Sequence, residues 1–308
     1  MTPPVRSRHA AAPLAACLAL LLSAAPPSVS AAPPAPAPQA AAEAPAARPP
    51  NSPAGKIGIV LALPPGTALG PEASRYLDEL AAVTSEALGV SKNDVEVRAW
   101  DDAARAAESA LTLDDCFILG SLGFYAAHRK TLGLRPLLSL RRKLGHQERY
   151  RVLVKKGRFT SLAELKGRTL AGTPLHELPA FLDQAVFKGT GMTSGDFRLE
   201  PVTRPLRELR KLESERRDAV LVDGAQFDSL QGMPLEKALE AVHVSAPVPS
   251  LGLMARGKRL DLDDKMTAAA QGLCAQSGGE SLCAGFGIEG FGPIDSAAIE
   301  AFVRAAGF

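Results

Sequence analysis

Between Lys56 and Phe308 the chain alternates short apolar runs with stretches whose apolar positions recur at helical spacing. The first run, KIGIVLALP from Lys56 to Pro64, is apolar at successive positions and predicts a strand buried on both faces. After the loop PGTALG, Tyr76, Leu77, Leu80, Val83 and Leu88 fall on one face of a helix that Gly89 ends. VEVRAW (Val95 to Trp100) predicts a second strand, DDAARAAESAL a second helix, and CFILG (Cys116 to Gly120) a third strand. Strands separated by helices pair in parallel, so this half reads as an α/β sheet.

The pattern then repeats. YRVLVKK (Tyr150 to Lys156) predicts a strand, and SLAELKG a single helical turn in which Ser161 and Glu164 form a capping box. RTLAG, FRLEPV and DAVLVD (Asp218 to Asp223) read as further strands, with helices FLDQAVFK and PLRELRKLESE between them. HVSAPVPSLGLMARG reads as a returning strand pair before a helical tail. The chain leaves the first unit near Arg141 to Tyr150 and comes back near His243 to Leu253. The expected organisation is therefore two lobes, residues 56–146 with 247–308 and residues 147–246, each a mostly parallel sheet flanked by helices. Ligands of open parallel sheets lie at the carboxyl ends of the strands. That rule selects the loops Pro65 to Gly70, Gly120 to Tyr125, Thr173 to Leu178 and Asp223 to Phe227.

The segment ahead of Lys56 is of a different kind. Arg6 and Arg8, the apolar run Leu14 to Ala25, and small residues at Ser28, Ser30 and Ala31 form the order of a cleavable secretory signal over residues 1–31. The run is too short to span a bilayer. Cys17 in LAAC offers the alternative of a lipidated cysteine, although most of the apolar core follows it rather than precedes it. Residues 32–55 are almost wholly Ala and Pro and read as a solvated linker. The expected location is periplasmic or otherwise exported.

Removing residues 1–31 takes away two arginines and no acids, so 35 basic against 33 acidic residues becomes 33 against 33. A neutral chain argues against a nucleic-acid partner. Charge is uneven nonetheless: Arg135 to Arg168 holds eleven Lys or Arg against Glu148 and Glu164, which reads either as a solvated crossover surface or as a field that steers an anion. Export also permits disulfides, and Cys274 and Cys283 flank the polar turn AQSGGESL, so a bridge between them is expected to stabilise the fold by roughly 2 to 3 kcal/mol. Cys116 lies in an apolar run and reads as an inert thiol.

Several segments together carry a resemblance. YRVLVKKGRFTSLAELKGRTLAGTP, ILGSLGFYAAH, RRDAVLVDGAQFDSL and PVPSLGLMARGKRLD resemble type II periplasmic solute-binding proteins, in particular the phosphate, phosphite and phosphonate-binding branch that serves ABC importers. The resemblance implies a hinged two-lobed α/β fold, a small anionic ligand and an ABC permease as partner. It also implies ligand contacts from Ser121, Thr173, His176, Asp223 and Gln226, the carboxylate of Asp223 meeting an amine or a protonated oxygen. Where that branch places a cluster of hydroxyls at a helix N-terminus, this chain reads GTPLHELPAF.

No cofactor, metal or catalytic role is expected. GFGIEG (Gly285 to Gly290) lacks the strand-to-helix setting of a dinucleotide fingerprint, LGSLG breaks the nucleophile elbow, and the histidines at 128, 146, 176 and 243 have no metal-motif spacing. The expectation is a monomeric exported protein that captures a small anionic solute for an importer. The alternative is a sensor or scaffold that uses the same fold without a transporter.

Overall fold

The computed structural model describes residues 56–67, 71–142, 147–276 and 279–308; the signal, linker and His146 readings lie outside them. In the first lobe the chain forms β1 (Ile57–Ala62), α1 (Pro71–Leu88), β2 (Val95–Trp100), α2 (Ala103–Leu111), β3 (Asp115–Leu119), α3 (Leu122–Leu132) and β4 (Arg135–Arg141). The crossover strand β5 (Gln147–Glu148) leads into β6 (Arg151–Lys155), β7 (Thr169–Gly172), α4 (Pro179–Leu182), β8 (Arg198–Pro201), α5 (Pro205–Glu213), β9 (Ala219–Val222), α6 (Gly224–Asp228) and β10 (Leu239–Val244). Crossover strand β11 (Val248–Pro249), β12 (Leu253–Arg256), α7 (Leu260–Gly272), α8 (Gly279–Phe286), β13 (Gly290–Pro293) and α9 (Ser296–Ala305) complete the chain.

Two large sheets result, in the orders β13-β4-β12-β3-β1-β2 and β10-β6-β9-β7-β8, beside a two-stranded pair of β11 with β5. Each has a parallel group of three, β2-β1-β3 and β8-β7-β9, extended on one side by antiparallel strands. The mixture follows from chain routing. Strands that enter or leave by the crossovers arrive from the opposite direction, as β12 does when it returns beside β3 with Leu253 opposite Leu119. The crossovers themselves pair, Val248 opposite Glu148, which ties the two connections into one ribbon.

The local signals mostly act as read. β1 is buried at Ile57, Ile59, Val60 and Leu61, and Gly89 ends α1 in the left-handed region at φ +69°. The capping box does not form as expected: Ser161 accepts no backbone N–H, and Glu164 instead takes the hydroxyl of Thr160. Ser161 donates its own hydroxyl to the same carboxylate at 3.3 Å, so it acts as a donor to Glu164 and not as an acceptor for the helix start. The basic run is not a bare patch either. β4, which lay within it, is an interior strand, and Arg135, Arg142, Lys155, Arg158 and Lys166 pair with Asp263, Glu148, Glu215, Asp218 and Asp196.

Cys274 and Cys283 are bridged, and Cys116 is buried, its thiol pushed up to about 12 by loss of hydration. Helix α9 links the lobes: Phe302 packs against Phe181 of the second lobe at 5.4 Å between ring centroids, while Glu300 accepts from Tyr125 and Arg129 of the first. Among the described residues, no helix is long and apolar enough to cross a membrane.

Candidate functional site

In each lobe a strand of the parallel group delivers a polar side chain to a helix start. β3 ends at Leu119 and Ser121 caps α3, its Oγ accepting the Phe124 N–H at 3.0 Å. The same hydroxyl donates to Glu177 Oε1 at 2.9 Å. Glu177 follows β7 of the second lobe, so this bond spans the cleft. Gly123 makes room for it: a Cβ there would stand 2.0 Å from Glu177 Oε2.

In the second lobe β9 ends at Val222 and Asp223 caps α6. Its Oδ1 accepts the Gln226 N–H at 2.8 Å, and Gln226 Oε1 accepts the Asp223 N–H at 3.3 Å. Here too a carboxylate arrives from elsewhere. Glu148 of the crossover accepts the N–H groups of Gly224 at 2.7 Å and Arg149 at 2.9 Å through Oε1, and Arg142 Nη1 donates to Oε2 at 3.3 Å.

Burial governs the electrostatics. It raises the Glu177 carboxyl above its ordinary pKa, with the Ser121 hydroxyl pulling the other way. Glu148 is raised by burial and then by Asp223, against Arg142 and its two N–H donors. Asp223 is raised by burial, partly offset by the Gln226 N–H and Arg142. The phenol of Tyr150 is buried and is held well above its usual range by lost hydration and then by the charges of Glu148, Glu177 and Asp223. The arrangement offers acceptors and a positive centre for binding. Among the described residues, no cluster of His, Cys, Asp and Glu could hold a metal ion.

The structure therefore joins Ser121 to the Thr173 to Leu178 loop and joins Asp223 to Gln226. Thr173 is buried, makes no helix-cap bond, and its Oγ1 has no hydrogen-bond partner among the described residues. His176 is exposed. Sequence reasoning missed Glu177, Glu148, Arg142 and Tyr150. Glu177 stood inside GTPLHELPAF, but that stretch was searched for hydroxyls. Glu148 stood out only as an acid within the basic run.

The architecture defines a fold. Two α/β lobes with paired crossovers and facing strand ends are the fold of the type II periplasmic binding proteins. Within that fold the chain is similar to XAC2383 from Xanthomonas citri, solved bound to ATP, with TM-score 0.61 and 16% identity over 82% of this chain and 96% of that one. It is similar to a binding-protein component of an ABC phosphonate transporter from Pseudomonas aeruginosa, with TM-score 0.60 and 12% identity over 82% and 87% of the two chains. PhnD1 from Prochlorococcus marinus, solved with methylphosphonate, matches with TM-score 0.58 and 15% identity over 81% and 97%. No protein-family model and no curated protein sequence matches.

Proposed function

We propose that this protein is an exported solute-binding protein whose lobes close on a small molecule with an anionic group, for delivery to an ABC-type permease. The observation that carries this reading is the meeting of strand ends from both sheets at one cleft, bridged by Ser121 and Glu177. The likeness in fold to phosphonate-binding proteins supports the anionic group. The charges narrow it. Arg142 bonds Glu148 and acts on Asp223, two carboxylates for one cation, which opposes a bare dianion and favours a solute carrying an amine beside its anionic group. Ser121, Thr173, His176, Asp223 and Gln226 remain the proposed contacts, with Glu148 and Arg142 added.

A solute that binds only the folded state raises the melting temperature by linkage. Methylphosphonate, 2-aminoethylphosphonate, phosphate, sulfonates and amino acids should therefore separate, with the amine-bearing anion giving the largest rise. A flat panel would remove solute capture as the function. The second reading, a sensor or scaffold without a transporter, is favoured by the replacement of the hydroxyl cluster with GTPLHELPAF. A permease and ATPase encoded beside the gene would decide for import, a kinase or cyclase for sensing.

A further inference from the structure

We propose that Glu177 is a built-in latch that draws the two lobes together, so that a solute must displace a side chain of the protein itself before it is held. The inference rests on the solute-binding reading above and adds how that cleft is controlled. Glu177 and Ser121 lie on different lobes and 56 residues apart, yet their bond at 2.9 Å is direct. The two residues are far apart along the chain, and the approach of the lobes brings them together.

Gly123 supplies a second mark of the same contact. It stands in the first turn of α3, away from the positive-φ positions, so its backbone conformation is open to any residue. Glycine in a helix weakens it relative to alanine. The reason for glycine here is steric: a Cβ would lie 2.0 Å from Glu177 Oε2, 2.2 Å from Cδ and 2.5 Å from Oε1. The helix gives up stability so that a carboxylate from the other lobe can lie against its first turn, where the helix dipole and free N–H groups favour negative charge.

The latch is also weak enough to open. Ser121 is the side chain that bonds the Glu177 carboxylate, whereas Glu148 is held by Gly224, Arg149 and Arg142. A solute that offers Ser121 another acceptor competes with Glu177 directly. Solute affinity is then reduced by the fraction of molecules in which the latch is shut.

Solution scattering and methylphosphonate titration calorimetry on the full chain test this, using wild type, Glu177→Ala, Gly123→Ala and the double variant, with thermal melts to verify folding. Without solute, both single variants should have a larger radius of gyration than wild type, and the double variant should match Glu177→Ala. Glu177→Ala should bind methylphosphonate roughly tenfold more tightly, which corresponds to a modest latch. An unchanged radius in both single variants would overturn the latch. So would a Gly123→Ala effect that persists once Glu177 is gone, because the glycine would then serve something else. If the radius responds as expected but neither protein binds any anion, the latch stands and the proposed ligand class falls. Tight binding by wild type and variant alike, with no change in radius, has the opposite meaning.

Discussion

The helices α3 and α6 are built alike and held differently. Each follows a strand of a parallel group, each is capped by its own side chain, Ser121 or Asp223, and each has a glycine in its first turn against which a distant carboxylate lies. A Cβ on Gly224 would stand 2.5 Å from Glu148 Oε1, as one on Gly123 would stand 2.0 Å from Glu177 Oε2. Glu148, however, belongs to the paired crossovers and satisfies two N–H groups and an arginine. Glu177 belongs to the far lobe and meets one hydroxyl. The same local device is an anchor in one place and a releasable contact in the other. What differs is the number of partners and whether the contact crosses the cleft.

The largest expected effect breaks the anchor. Glu148→Ala leaves the Gly224 and Arg149 N–H groups and the Arg142 guanidinium without their acceptor, and should cost about 3 kcal/mol in urea denaturation. Glu177→Ala, which removes one bond to a hydroxyl, should cost about 1 kcal/mol or less. Equal losses would erase the distinction between the two helices.

How much of this pattern was readable in the sequence depended on its range. β1, β2, β3, α1 and the Asp218 to Asp223 strand declared themselves through runs and periodicity, which are local. β4 and β13 did not: RPLLSLR was hidden by its arginines, and GFGP by its glycines and proline, and both pair only with strands far along the chain. The site divided in the same way. Ser121 and Asp223 were singled out because each stands at the carboxyl end of a strand read from the sequence; that each also caps the following helix is seen in the structure. Glu177 and Glu148 acquire meaning only when lobe or crossover closes on a partner 56 or 76 residues away. Gly123 and Gly224 were legible only as glycines, because the group each accommodates comes from elsewhere.

A smaller effect sharpens the comparison through pH. The Glu148 carboxyl is raised in the folded protein by burial and by Asp223, against Arg142 and the N–H groups of Gly224 and Arg149; Glu148 in turn acts on Tyr150, and Asp228 acts on Asp223. A raised carboxyl binds its proton more tightly in the folded state than in the unfolded one. It therefore adds stability that is complete below the unfolded value and lost as the pH rises through the folded value. Glutamine mimics the protonated form at every pH. The melting temperature of wild type relative to Glu148→Gln should thus be highest at acid pH and fall toward neutrality. A difference that grows toward neutrality would mean that Arg142 and the two N–H donors outweigh burial, which would make the anchor ionic.

The smallest expected effect separates the two tasks of Ser121, cap and latch. Ser121→Ala removes both the acceptor for the Phe124 N–H and the donor to Glu177, and should cost about 1 kcal/mol, as the loss of an N-cap does. Ser121→Gly also removes the donor, but glycine at an N-cap costs only a few tenths of a kcal/mol. Stability should therefore return almost to wild type in the glycine variant, while its solute-free radius of gyration stays as large as that of Glu177→Ala. If the radius returned together with the stability, the hydroxyl of Ser121 would serve α3 alone, and the contact with Glu177 would follow closure rather than hold it.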